Sequence, residues 1–302
     1  MAAIAEALQF SFMRNALAAG LLVSIACGIV GAFVVVKRMV FISGGIAHAA
    51  YGGIGLGYFA KYMLLPLWFS GSAAARDQRP GAWPLVGAVV FSLLAAAAMG
   101  LIQRRTRQRA DTVIGVLWAI GMAVGILFVD LTKGYKVDLM SYLFGSILTV
   151  ERGELLLILG LDVVIVVLIT AFFKELLAIS FDETFATVEN VPVEAIYIVL
   201  LCLIALTVVM MMRLVGLILV IAMLTMPAAI AGRFVKDLRH IMAGAVLLGM
   251  VFTTVGLGLS YAWNLTSGAS IILVSGAAYF GSDALAALWR RRRRTSPAAQ
   301  TP

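Results

Sequence analysis

The stretch that decides the fold runs from Gly20 to Tyr58: "GLLVSIACGIVGAFVVVKRMVFISGGIAHAAYGGIGLGY". No charge occurs up to Val36; Lys37 and Arg38 interrupt the run, and a second apolar segment opens at once. A helix crosses the hydrocarbon core of a bilayer in about 20 residues. Two such runs with a pair of cations between them predict two membrane-spanning helices that meet at a basic turn. In the second run Gly45, Ala49, Gly53 and Gly57 recur every four residues, a stripe of small side chains that lets membrane helices approach closely. Gly44 and Gly52 lie one turn either side of His48, on its own face. One of only two histidines in the chain therefore projects from a face with no bulk above or below it. An ionisable side chain inside a bilayer is costly and marks a functional site by default. The plainer account of His48 is a histidine hydrogen-bonded across a packed interface.

The rest of the chain has the same character. Of 302 residues, 63% are hydrophobic and 13% charged, and mean hydropathy is +1.05. A soluble domain has roughly 45–50% apolar and about 25% charged residues, so the composition is that of a polytopic all-α membrane protein. No signal-peptide pattern opens the chain. Apolar spans are read at 12–36, 43–66, 84–102, 112–130, 154–173, 193–212, 214–231, 241–263 and 267–289, giving about nine transmembrane helices, with eight to ten as the range. The short apolar piece 139–150 suits a re-entrant or interfacial segment, or the continuation of a neighbouring helix. The organisation is one transmembrane body, 1–289, and a basic tail, 290–302. The loop "FSGSAAARDQRPGAWP" reads as a solvated connection.

The net charge of +8 is a signal of orientation, because the cations sit at span ends. With "RRRRR" at Arg290–Arg294 in the cytoplasm, nine spans place 15 of the 23 Lys and Arg on that side. The Arg run directly follows an apolar span and reads as an anchor to the membrane lipid surface, with no nucleic acid as partner. Cys27 and Cys202 lie inside apolar runs without metal-finger spacing and read as small buried hydrophobes.

Three further stretches bear on function. "ISFDETFATVENVPVEAIY", Ile179–Tyr197, is amphipathic and lies between two spans: Phe181, Phe185 and Val188 share a face, Asp182, Glu183 and Glu189 point elsewhere, and Asn190 with Pro192 marks a helix stop. It reads as a connecting surface helix or as a docking helix for a soluble partner. "RLVGLILVIAMLTMPAAIAGRF", Arg213–Phe234, is a span that can break or bend at Pro227. Asp162 stands in the middle of an apolar run, whereas Asp130, Asp138, Glu151 and Glu154 cluster at outer helix ends as a solvated rim. No GxxxxGK[ST] occurs, so any ATP that drives this protein is hydrolysed on another polypeptide, and no nucleophile elbow or HExxH is present.

The Gly20–Tyr58 stretch, "RADTVIGVLWAIGMAVGIL", "DLMSYLFGSIL", "FDETFATVENVPV" and "VGLILVIAMLTMPAAIAGRF", in that order, resemble the membrane permease subunits of ABC importers for zinc, manganese and iron. The resemblance covers about residues 10–290. It implies the vitamin and metal-chelate type of permease fold in a bacterial inner membrane, with the C-terminus cytoplasmic. It implies a homodimer with the ion path on its axis, a separate cytoplasmic ATPase on each protomer, and an extracytoplasmic metal-binding protein. The transported divalent metal ion is cargo, and no cofactor is held permanently. By the resemblance, the ATPase-coupling helix falls on Phe181, Asp182, Glu183, Phe185, Asn190 and Pro192, with Asn190 standing where Gly is usual. Pro227 falls on a pore-lining half-helix. Gly44, Gly45, Gly52 and Gly53 form the small pore and packing face. His48 matches a histidine associated with the ion pathway, but Gly44 stands where the family pattern Asp-x-x-x-His has its Asp. Each protomer then offers one imidazole, with oxygen from Ser43, Asp138 or Asp162. Loss of the carboxylate favours zinc, which accepts nitrogen-rich sites, over manganese, which prefers oxygen. The alternatives are a permease for a metal chelate or organic cofactor, a secondary cation transporter, which would need more paired intramembrane acids, and a membrane-embedded enzyme, whose constellation of His and acids is not found.

Overall fold

The computed structural model describes residues 9–65, 83–105, 110–132, 145 and 147–294. Among them are nine helices long and apolar enough to cross a membrane. They are α1 (Ser11–Val36), α2 (Val40–Phe59, prolonged by a π-helical turn at Ala60–Leu64), α3 (Trp83–Arg105), α4 (Ala110–Leu131), α5 (Arg152–Ala171), α8 (Val193–Val215), α9 (Leu217–Phe234), α10 (Leu238–Trp263) and α11 (Ser267–Arg294). Two short helices, α6 (Phe173–Phe181) and α7 (Glu183–Val188), lie between α5 and α8. Helices suit this sequence because a bilayer offers no water to backbone groups, and a helix satisfies them internally.

The predicted spans match these nine within a few residues. The predicted boundary at 289 is not a helix end, since α11 continues through Arg294. The loop 66–82, most of 139–150 and Asp138 lie outside the described residues. The described end of the 139–150 piece is a single 3-10 turn, Ile147–Thr149, with Ile147 buried, and Asn15 Nδ2 donates to the Val150 carbonyl at 3.2 Å. This end is therefore folded against α1.

Local chemistry sets the helix ends. Glu151 and Glu154 form a capping box at the start of α5, with Glu154 Oε2 accepting from the Glu151 backbone N–H at 3.2 Å. Those two outer-rim acids thus have a structural task. Asp237 caps α10, and Asn264 closes it in the left-handed conformation at φ 54°. Gly216, at φ 82°, is the single residue between α8 and α9 and takes a backbone angle that side chains resist.

Two packed groups result. α1 is buried between α9 and α10, with α5 alongside. Ala16, Ala19, Cys27, Val30 and Phe33 of α1 are completely buried. α2 packs between α3 and α4, and α8 joins the groups by touching α3 on one side and α9 on the other. The small-residue stripe makes the α2–α3 crossing possible: a Cβ on Gly53 would collide with the backbone of Gly87 and Ala88.

Candidate functional site

His48 is 7% exposed, in the middle of α2. Its Nδ1 lies 2.8 Å from the Gly44 carbonyl oxygen, one turn back. A carbonyl only accepts, so Nδ1 carries the proton and Nε2 keeps the lone pair that a metal ion needs. Across from it, the Trp118 ring of α4 lies with centroids 4.3 Å apart and planes tilted by 43°. Trp118 is itself 37% exposed and forms the outer cover of the imidazole.

The glycines around His48 divide into two kinds. Gly52, Gly55, Gly121 and Gly125 bring α2 and α4 together: a Cβ at Gly52 would stand 2.6 Å from the Gly121 carbonyl oxygen. The room predicted on that side of His48 is therefore filled by a helix. Gly45 and Gly53 are packing positions against α3 and α4. Gly44 differs from all of these. A Cβ there would meet nothing nearer than Ile221 Cδ1 at 3.9 Å and Trp118 at 4.0 Å. Open space thus persists on the His48 face only one turn toward the Lys37 end of α2.

The structure does not gather Ser43 or Asp162 around His48, and Asp138 lies outside the described residues. The Ser43 hydroxyl donates to the Val40 carbonyl at 2.7 Å, and five helical residues separate it from His48 by about 140° around the axis. Asp162 is 4% exposed on α5, which packs on α1, whereas His48 faces α4. Its electrostatic neighbour is Cys27 of α1, and neither carboxylate oxygen has a hydrogen-bond partner. Among the described residues, no three His, Cys, Asp or Glu side chains stand together as a metal site. One chain contributes one imidazole here.

α9 runs unbroken through Pro227, which is buried, so of the break or bend expected there the break does not form. The pyrrolidine ring removes one backbone hydrogen bond from the α9 ladder. Just before it, the Thr225 hydroxyl donates to the Ile221 carbonyl at 2.8 Å.

The 179–197 stretch forms a compact knob. The Asp182 carboxylate caps α7, accepting from the N–H groups of Thr184 at 2.8 Å and Phe185 at 3.0 Å. Asn190 closes it at φ 57°, with the Val191 N–H reaching the Ala186 carbonyl at 3.0 Å, so Asn supplies the left-handed turn that Gly would. Phe181, Phe185 and Val188 are 62%, 58% and 74% exposed, but they do not lie on one helix as the spacing predicts: Phe181 ends α6, the extended Asp182 breaks the chain, and Phe185 and Val188 belong to α7. Glu183 points back into the protein and pairs with Lys37. Beside this pair opens a cavity of about 620 Å³, lined by Lys37, Arg38, Gln103, Glu183, Glu194 and Tyr197 among others. In it the Tyr197 hydroxyl donates to Gln103 Oε1 at 2.7 Å.

Sequence reasoning missed Trp118 and the Lys37–Glu183 pair. Both are contacts between elements distant in sequence, and neither residue type announces its partner. The exposed Phe181 and Phe185, on successive short helices, were the one legible signal of a surface made to be covered.

The described residues thus form a bundle of nine candidate spans with a buried imidazole on one helix and exposed apolar side chains between the fifth and sixth. The pattern of the ABC 3 transport family matches residues 9–286, and the chain belongs to that family. It is 57% identical over 277 residues to an uncharacterized membrane protein of Synechocystis, with 92% of each chain covered. It is 30% identical to the manganese transport system membrane protein MntC of Halalkalibacterium halodurans, covering 95% of this chain and 94% of that one. Among solved structures it is similar to PsaBC from Streptococcus pneumoniae in complex with Fab, with a TM-score of 0.76, 31% identity, and 93% and 94% of the two chains covered. The chain is thus a multi-pass permease subunit of an ABC transporter and not an enzyme.

Proposed function

We propose that this chain is the permease of an ATP-driven importer of divalent transition-metal ions, with zinc as the favoured cargo. The observation that carries the proposal is His48: a buried imidazole fixed as its Nδ1–H tautomer, with Nε2 free and open space beside it at Gly44. The metal class also draws support from relatives named as manganese and metal transport systems. Those names favour manganese. The preference for zinc rests on the donor set: with Gly at position 44 the His48 face has nitrogen and no carboxylate, and zinc tolerates nitrogen-rich sites where manganese seeks oxygen.

In this reading two copies face each other, and their His48 side chains supply a pair of imidazoles that water completes. So open a site holds an ion briefly, as a carrier must. A cytoplasmic ATPase on each copy covers the exposed Phe181, Phe185 and Val188 face, and an extracytoplasmic binding protein delivers the metal. Closure of the ATPases pushes α7, and the pore helices rock around the His48 level in alternating access. The protein sits in a bacterial inner membrane with its basic ends and C-terminus in the cytoplasm, where the positive-inside rule puts them.

The test is uptake into proteoliposomes holding the permease, its ATPase and its binding protein, comparing zinc, manganese and iron with and without ATP. ATP-dependent uptake of zinc above the others is the expected result. Manganese uptake in excess of zinc would reverse the preference, and no metal uptake at all would remove the proposal.

A further inference from the structure

α5 and α10 both pack on α1, and at the end of the protein that carries Lys37 and Arg233 they leave a groove between them. The groove holds a cavity of about 420 Å³, lined by Ile169, Thr170, Phe173, Lys174, Arg239 and Met242. A liquid water occupies about 30 Å³, so the space suits a group many times larger. Its floor is apolar and its mouth is cationic. Arg239 stacks over the Phe173 ring, with the guanidinium carbon 4.8 Å from the centroid. Stacking holds the plane in place and leaves the N–H edge available for a bidentate acceptor.

The cations are not consumed by the protein. Neither Lys174 nor Arg239 is in an ion pair with a described residue. The acid nearest in sequence to Arg239 is Asp237, and it is engaged with backbone and histidine: Oδ1 accepts the Arg239 backbone N–H at 3.1 Å, and Oδ2 lies 3.0 Å from His240 Nδ1. These contacts, the backbone N–H first, hold the Asp237 carboxyl below its usual range, with a last and smallest contribution from the Arg239 charge, which is not within salt-bridge distance. Glu175 follows Lys174 in the chain without pairing with it.

The groove also opens in the right direction. Along α5, Val163, Val166, Val167 and Thr170 recur at helical spacing, are exposed, and lead down to Phe173 and Lys174. The cationic mouth therefore sits where apolar, lipid-facing helix surface gives way to the polar boundary. Basic pockets between membrane helices at that level are suited to anionic headgroups.

We propose that this groove is a binding site for one anionic phospholipid, its phosphate held between Lys174 and Arg239 and the start of an acyl chain laid against Ile169, Phe173 and Met242. A free phosphate would use the two cations and leave the apolar floor and lipid-facing entrance without purpose. The assignment is independent of the transported ion and of the ATPase.

The test is native mass spectrometry of the full chain in a neutral detergent, titrated with phosphatidylglycerol, phosphatidylcholine or inorganic phosphate. One phosphatidylglycerol per chain is expected to remain bound where phosphatidylcholine does not. Lys174→Gln with Arg239→Gln weakens binding roughly thirtyfold, at about 1 kcal/mol per cation. Lys174→Arg, which keeps both charges and the stacked guanidinium of Arg239, keeps it. Met242→Trp, which fills the floor and leaves the charge in place, also displaces the lipid. Equal binding by the charge-neutral variant, equal binding of phosphatidylcholine, or full displacement of the lipid by inorganic phosphate would each overturn the proposal.

Discussion

Lys37 Nζ lies 2.7 Å from Glu183 Oε1 and donates a second hydrogen bond, 2.8 Å long, to the Ile179 carbonyl. The same ammonium stands 5.1 Å from the centre of the Tyr197 ring. One side chain thereby ties three parts of the knob, α6, α7 and the start of α8, to the turn between α1 and α2. That turn is short and tightly made. Arg38 is left-handed at φ 56°, and the Met39 N–H reaches the Val34 carbonyl at 2.8 Å. The helix that begins at Val40 carries His48. Lys37 thus links α7 to the foot of the His48 helix.

The relationship has a charge-exchange test. Lys37 is nearly buried and Glu183 about half-exposed, so solvent screening limits the pair to about 1 kcal/mol of stability. Its larger effect is on coupling. Lys37→Glu and Glu183→Lys are each expected to reduce metal transported per ATP severalfold while basal ATP hydrolysis continues. The double exchange restores the ratio. Normal coupling in both single variants would show that force reaches α2 by another route.

The exposed Phe185 gives a second expectation. At 58% exposure it contributes little to the fold of the isolated permease. Phe185→Asp should leave the permease's melting temperature unchanged and abolish co-purification of the ATPase. Desolvating a carboxylate against an apolar partner surface costs several kcal/mol unless it finds a cation. A normally assembled complex would mean that the ATPase seats elsewhere.

A third expectation concerns the imidazole and the vacant position beneath it. His48→Ala should lower uptake by tenfold or more, since losing even a hydrogen-bond partner of a metal ligand typically costs on the order of 10–100-fold, with assembly and melting temperature near wild type. Unchanged uptake would make His48 a packing residue. Gly44→Asp places a carboxylate where a Cβ has 3.9 Å of clearance. It is expected to fold and to shift preference toward manganese, read by competing the two metals in one uptake assay. An unaltered preference would mean that selectivity is set before the ion reaches α2.

Much of the architecture was legible because the bilayer imposes one length and one composition on every span, and Lys37, Arg104, Lys174, Arg233 and Arg290 mark the ends. The α2 stripe was legible too, since Gly45, Ala49, Gly53 and Gly57 repeat at four and such repeats need a close neighbour. Asn190 announced the end of α7 through its tolerance of a left-handed backbone. The contents of the His48 face were not legible. Gly52 and Gly44 look alike in sequence, but one abuts Gly121 of α4 and the other faces open space. The difference lies in how α4 crosses α2, which depends on Gly121 and Gly125 rather than on anything near His48. Pro227 likewise leaves a break or a bend open in sequence, and the structure shows α9 continuous through it, packed against α1 and α10.

Asp162 supplies the last expectation. It was read as an acid on the ion path because an aspartate amid apolar residues demands a reason, and the structure sets it against α1 beside Cys27, apart from His48. Both oxygens are buried without partners. A buried polar group in that state costs about 1–3 kcal/mol. If Asp162 has no part in transport, an apolar residue of similar size removes that cost. Asp162→Leu is therefore expected to raise the melting temperature by a few degrees, at about 2–4 °C per kcal/mol for a chain of this order, with uptake retained. Asp162→Asn, which keeps the size and the unpartnered polarity, should leave the melting temperature near wild type. Loss of uptake in Asp162→Leu at full stability would return this residue to the ion path and require a second intramembrane station, on α5, separate from His48.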